Sequence, residues 1–209
     1  EQSLNDYMTK KLFKPLEMND TSFDISTIGE GRLPKIYSIE EDQNLVDISE
    51  LMSPPQIEKF AYGGGGVFSC PNDYAKFIRM FLNGGKVNGK NLLTSETVEQ
   101  MTTNQIGELI VPFQPTFNPS IVAPNEWFPG VEKKWGYSFM INSEDIQNRR
   151  SKGSCAWSGI MNTFFWFDQE KDIGGTIMMQ IAPCYHENAK QVLKRFEEFV
   201  YSEADFLKS

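Results

Sequence analysis

Few residues in this chain are suited to chemistry, and they are widely spaced: one histidine, His186, the cysteines Cys70, Cys155 and Cys184, the glycine run Gly63-Gly64-Gly65-Gly66, and Asp168 among its polar neighbours. Histidine-assisted nucleophilic catalysis needs a serine or cysteine beside an imidazole, and metal sites built on imidazole need several. One histidine therefore removes Ser-His-Asp, Cys-His and His-rich metal sites from contention within this chain. His186 precedes an amphipathic stretch, where a solvated or capping role is expected ahead of a general base. The cysteines are odd in number and lack Cys-x-x-Cys spacing, so they read as buried free thiols. No Gly-Lys-Ser/Thr follows the glycine run, and a structural turn is expected there in place of a phosphate cradle. Asp168, in Asp168-Gln169-Glu170-Lys171-Asp172, reads as a turn former, not a catalytic carboxylate.

The elements that position these residues follow from periodicity. Leu4, Met8 and Leu12 share a helical face, so residues 3–13 are expected to form a helix that Pro15 stops. Residues 24–60 are polar, aperiodic and broken by Pro34, Pro54 and Pro55, and are expected to be surface loop. After the glycine run, Ser69 is placed to cap a helix with Pro71 in its first turn and Asp73 on its dipole. Tyr74, Phe77, Ile78, Phe81 and Leu82 then recur at helical spacing up to Asn83-Gly84-Gly85. Asn88-Gly89 marks a tight turn, and a short helix over residues 95–101, capped by Thr94 or Ser95, follows. Residues 103–134, with Pro112, Pro115, Pro119, Pro124 and Pro129, form a long loop of the kind a compact domain keeps for function.

Residues 135–142, 154–157, 163–167 and 173–181 are aromatic or β-branched and read as strands, with 168–172 closing an antiparallel hairpin. Ala189, Val192, Leu193, Phe196, Phe199 and Val200 predict a last amphipathic helix. The expected class is α+β, an antiparallel sheet flanked by helices, with a helical and loop region over 1–134 and the strands and terminal helix over 135–209. A length of 209 residues with 40% hydrophobic content suffices for a sizeable core, as one domain or part of one. The net charge of −8, with no long basic block, makes nucleic acid and anionic membranes poor partners. No run of 18 apolar residues is present.

Separated segments, in order, resemble the C-terminal half of the β-lactamase-related serine hydrolases, the family of class C β-lactamases, penicillin-binding D,D-peptidases and family VIII-type carboxylesterases. They are Phe13-Lys14-Pro15-Leu16-Glu17-Met18-Asn19-Asp20-Thr21, with Glu17 in place of the usual Gly; Gly63 to Ser69 with Asp73-Tyr74-Ala75-Lys76-Phe77 and Leu82-Asn83-Gly84-Gly85; Trp135-Gly136-Tyr137-Ser138-Phe139; and Ala156-Trp157-Ser158-Gly159 with Thr163-Phe164-Phe165-Trp166-Phe167-Asp168. The last carries the family's third motif, Lys-Thr-Gly in β-lactamases and His-x-Gly or Trp-x-Gly in esterase-like relatives.

The resemblance implies acyl transfer, in which a serine attacks a carbonyl while a lysine three residues later and a tyrosine move its proton. No lysine here has serine three residues before it, and no tyrosine begins Tyr-x-Asn or Tyr-x-Ser. Ser3-x-Asn5 fits the second motif by spacing alone and carries no weight. Both motifs lie upstream of the matched segments in the family, so the chain is expected to be the C-terminal portion of a catalytic domain, with the rest of that protein as its partner. It is expected to be inactive alone and to leave an incomplete sheet.

The Ile160 backbone amide is then the expected second oxyanion donor, and Gly159 allows close approach of substrate. Trp157 flanks the acyl pocket, Ser158 hydrogen-bonds a substrate carboxylate or a water, and Trp127 and Phe128 form a lid. With Trp157 where β-lactamases carry lysine, neutral hydrophobic esters or amides are expected as substrates. The alternatives are a D,D-peptidase or weak β-lactamase, and a non-catalytic relative serving binding or assembly. No metal or cofactor is implied, and the family suggests a periplasmic or secreted location.

Overall fold

The computed structural model describes residues 2–29, 31–40, 42–52 and 63–208. Ser3 caps the first helix, α1 (Leu4–Met8), by accepting the Asp6 amide on its Oγ at 3.0 Å. The chain continues through a π-helical turn, Thr9–Phe13, that delivers Phe13, Leu16 and Met18 to the core. Glu17 sits in the turn that follows, at φ 56°, the left-handed region where glycine carries no penalty, which accounts physically for the glycine at this point in the family pattern.

The described residues between 24 and 52 hold more regular structure than their polar composition suggests. A 3-10 turn, Ile25–Thr27, is followed by β1 (Tyr37–Ile39), β2 (Leu45–Asp47) and a single helical turn, α2 (Ser49–Met52). The β1–β2 hairpin is antiparallel, with Gln43 at φ 67° in its turn. Pro54 and Pro55 of the expected loop lie outside the described residues.

Helix α3 (Pro71–Leu82) buries Ile78, Met80 and Phe81. Ser69 was expected to cap it; Cys70 holds the N-cap position, without a side-chain bond, and Ser69 Oγ lies 2.8 Å from Thr21 Oγ1. Asp73, 3% exposed, accepts the Asp20 amide at 2.7 Å, the Thr21 hydroxyl at 3.0 Å and Lys76 Nζ at 2.9 Å, tying the 17–22 turn to the start of the helix. Asn88 and Gly89, both at positive φ, close the hairpin β3 (Lys86–Val87) to β4 (Lys90–Asn91). Thr94 caps α4 (Ser95–Thr102).

The central sheet is antiparallel throughout: β5 (Lys133–Trp135), β6 (Met140–Asn142), β7 (Cys155–Gly159), β8 (Thr163–Asp168) and β9 (Ile173–Met178), adjacent in that order. The strand expected over 135–142 is in fact two, reversed at Gly136–Phe139, where the Gly136 amide donates to the Phe139 carbonyl at 2.8 Å and Ser138 stands at φ 86°. The strand expected over 173–181 also divides. β9 ends at Met178, and β10 (Ile181–Ala182) joins β1 in parallel to make a second, three-stranded sheet.

Alternation along β8 gives the sheet its two faces. Phe165 and Phe167 point toward α3, joining Phe77, Phe81 and Phe139. Phe164 and Trp166 point the other way, toward the final helix α5 (Glu187–Lys208). Asp168 is more than a turn former. It is fully buried and accepts the Ser151 amide at 2.8 Å, the Lys171 amide at 3.2 Å and the Tyr201 hydroxyl at 2.9 Å, locking α5 to the sheet. Glu197 on the same helix takes Arg149 and Arg150. No helix among the described residues is long and apolar enough to cross a membrane.

Candidate active site

Strand β7 is paired unequally. On one side β8 accompanies it over its whole length; on the other, β6 meets only Cys155 and Ala156. Trp157, Ser158 and Gly159 thus have one edge without a strand partner among the described residues, beside the Gly136–Phe139 turn. That edge exists because the chain reverses at Gly136, where an added Cβ would lie 2.1 Å from the Met101 carbonyl at the end of α4. Only glycine permits that contact.

The face of each residue follows from the same alternation. By register Cys155 and Trp157 lie on the α3 face opposite Phe167 and Phe165, the Trp157 indole also reaching the α5-face cluster through Trp135, whereas Ala156 and Ser158 lie on the α5 face with Phe164 and Trp166. The indole of Trp157 meets Trp135 edge to face at 4.6 Å and walls an apolar cleft of about 400 Å³ between the sheet end and the helices. Leu12, Tyr74, Phe77, Met101 and Phe165 form much of the remainder. Burial there pushes the Tyr74 hydroxyl up to about 12.

Ser158 is turned away from this cleft. Its Oγ lies 2.8 Å from the Tyr185 hydroxyl on the opposite face. Burial raises the Tyr185 pKa, and the Ser158 hydroxyl partly offsets this.

Gly159 ends the strand, and an added Cβ would approach Thr163 Oγ1 to 2.4 Å. The turn Gly159–Asn162 closes through the Asn162 amide on the Gly159 carbonyl at 3.1 Å. Ile160 lies on its outside, 49% exposed, and its amide donates to no acceptor among the described residues. An outward backbone donor at a water-accessible strand end is the kind of group that stabilises an oxyanion.

The structure does not bring Trp127 and Phe128 to the cleft, which corrects the expectation of a lid. Trp127 is 7% exposed and packs edge to face on Phe164 at 5.9 Å and on Tyr185 at 5.5 Å, on the α5 face. Its carbonyl, with that of Phe128, accepts the buried Lys133 ammonium. Phe128 lies beneath the Arg149 guanidinium at 4.7 Å. His186 accepts the Asn188 amide on Nδ1 at 3.2 Å, at the start of α5. Asp20, Cys70 and Asp73 also bring potential metal ligands together. Their charge is already met within the protein, by Arg32 on Asp20 and Lys76 on Asp73.

Helices packed on both faces of an antiparallel sheet are the architecture of the β-lactamase-related serine hydrolases. The β-lactamase family model matches residues 1–194, and the chain belongs to that family. The uncharacterized protein MT1414 of Mycobacterium tuberculosis (strain CDC 1551 / Oshkosh) is 25% identical over 181 residues, covering 83% of this chain and 42% of the relative. The simvastatin synthase LovD from Aspergillus terreus, in its LovD6 mutant form, superposes with a TM-score of 0.78 at 20% identity over 97% of this chain and 52% of its own. EstCE1, a hydrolase with promiscuous acyltransferase activity, gives 0.57 at 15% identity over 86% and 46%. At these identities the structural likeness is one of fold. The chain spans about two fifths of the curated relative and about half of the first of these structures.

Proposed function

We propose that this chain forms the oxyanion-side wall of a serine hydrolase or acyltransferase that works through an acyl-enzyme. The reading rests chiefly on one observation: the Gly159–Asn162 turn presents an unengaged Ile160 amide at the end of a half-unpaired strand whose Trp157 walls an apolar cleft. In the proposed reaction the nucleophilic serine, on a Ser-x-x-Lys helix preceding residue 1, attacks the substrate carbonyl. The developing oxyanion is held by the serine's own amide and that of Ile160. The leaving alcohol or amine departs with the proton, and water or a second acyl acceptor then releases the acyl group.

The upstream segment is the proposed occupant of the cleft. Relatives of the fold are about twice as long as this chain, and the cleft wall is almost wholly aromatic and aliphatic, a surface suited to the apolar face of a helix. Trp157 then flanks the acyl group. Neutral, apolar esters or amides are the proposed substrates, because no cation among the described residues lines the cleft at Trp157 and Ser158 is bonded to Tyr185.

The test is the intact mass of the full-length gene product after incubation with a fluorophosphonate ester, beside the same treatment of the 209-residue chain. Adduct on the longer protein alone is the expected result. Absence of adduct on both would favour a binding or assembly role for the fold, and adduct on this chain alone would refute the placement of the nucleophile.

A further inference from the structure

The Ile160 amide is useful only if its direction is fixed, and a turn at the exposed end of a strand does not fix itself. The residue that does so is Asn162, which is fully buried although it belongs to the same turn. Its own amide closes the turn on the Gly159 carbonyl at 3.1 Å, and its φ of 58° is a left-handed value that asparagine tolerates better than most residues. Both polar atoms of its side chain are engaged. Nδ2 donates to the carbonyls of Ile181 and Pro183, each at 2.8 Å, and Oδ1 accepts the Tyr185 amide at 2.7 Å. The Ile181 amide returns a bond to the Met161 carbonyl at 3.3 Å, so the turn is held from both of its inner positions.

The circuit then closes on the site. Tyr185, positioned by Asn162, bonds Ser158 on β7 through its hydroxyl, next to Gly159. The strand end, the turn and the 181–185 segment thus form one hydrogen-bonded ring with Ile160 as its outward member. Aspartate lacks the two donors that face the carbonyls, alanine lacks all three groups, and glutamine is one methylene too long.

We propose that Asn162 is the positioning residue of the oxyanion turn, setting the direction of the Ile160 amide without touching substrate. This rests on the reading of Ile160 as an oxyanion donor. Displacing such a donor by about 1 Å costs roughly 100-fold in turnover.

The experiment compares the full-length wild type with Asn162→Asp and Asn162→Gly, the second keeping the backbone free to adopt the left-handed conformation. Active sites are counted by exhaustive fluorophosphonate labelling, and kcat and KM for p-nitrophenyl butyrate are expressed per labelled site. The expected outcome is a kcat lower by roughly 10- to 100-fold with KM within about threefold of wild type. A purely structural role would reduce the number of labelled sites and leave kcat per site unchanged, which would overturn the assignment. Loss of the fold in both variants would overturn it too, by making Asn162 a folding residue. An unlabelled, inactive wild type would refute instead the oxyanion reading on which the assignment stands.

Discussion

Replacing Glu197 by alanine is expected to be among the most destabilising single changes in the molecule. The carboxylate is fully buried and receives Arg149 through Nε at 2.7 Å and a terminal nitrogen at 2.6 Å, and Arg150 through Nε at 3.1 Å and a second, shorter contact. The two guanidiniums fare differently once it is gone. The Arg149 side chain is 12% exposed and can turn toward water, but that of Arg150 is 1% exposed and keeps an unpaired charge inside the protein. Cation–π contacts of Arg150 with Phe128 at 5.1 Å and Trp166 at 5.6 Å offset only about 0.5–2 kcal/mol. Breaking a buried pair from one side costs about 3–5 kcal/mol, which for a chain of this size lowers the unfolding midpoint by roughly 6–20 °C. Urea unfolding followed by tryptophan emission reads this directly, since Trp166 is buried against α5 at Phe196. The double variant Arg150→Met with Glu197→Leu is expected to recover most of the loss, because both charges then leave together. A loss below about 1 kcal/mol in Glu197→Ala, at unchanged denaturant dependence, would show that the clasp is not desolvated and would refute the reasoning.

Glu17→Gly relieves a left-handed residue and is expected to raise stability by about 0.5–1 kcal/mol, seen as a higher thermal midpoint, because the strain removed exceeds the added freedom of the unfolded chain. Burial pushes the Cys155 thiol up to about 12 and the Cys184 thiol up to about 11, so with Ellman's reagent near pH 8 only Cys70 is expected to react before the protein unfolds. At alkaline pH the sign follows from Tyr74: its folded pKa, about 12, lies above the ordinary value of about 10, so the unfolded chain loses this proton first. Its contribution is intact below pH 10 and falls by up to about 3 kcal/mol between pH 10 and 12, and Tyr74→Phe is expected to flatten the fall in urea midpoints over that window. Trp157→Lys would place an ammonium against Phe165 and Phe77 in the apolar cleft; a loss of about 2 kcal/mol is expected in denaturant unfolding, and unchanged stability would show that the indole is not packed there.

Legibility in the sequence followed the strength of the local signal. Helix α3 was readable because Tyr74, Phe77, Ile78, Phe81 and Leu82 repeat over three turns, and the β3–β4 and β8–β9 reversals because Asn88-Gly89 and 168–172 are unambiguous turn formers. The β5–β6 reversal was hidden because Ser138 adopts a conformation that its type does not announce, and the reason Gly136 must be glycine lies on another element, at Met101. The β1–β2 hairpin escaped because strands of three residues carry no measurable alternation, and its partner β10 is distant in sequence. At the site, the resemblance pointed to Trp157 through Ile160, but it passed over Asn162. Nothing in an Asn-Thr pair before an aromatic strand reveals that three backbone partners converge on its side chain.

The orientation of Ser158 shows how fold and chemistry constrain each other at this edge. Strand alternation lets the triplet aim only two of its three positions, Trp157 and Gly159, at the α3 face, so the middle residue must face α5. An apolar residue there would leave the Tyr185 hydroxyl, already in a buried and aromatic setting beside Trp127, without its partner at 2.8 Å. A serine satisfies that hydroxyl and couples the strand to the segment that Asn162 grips. Polarity in the middle of the triplet is thus explained from inside the protein, by the Tyr185 hydroxyl it meets.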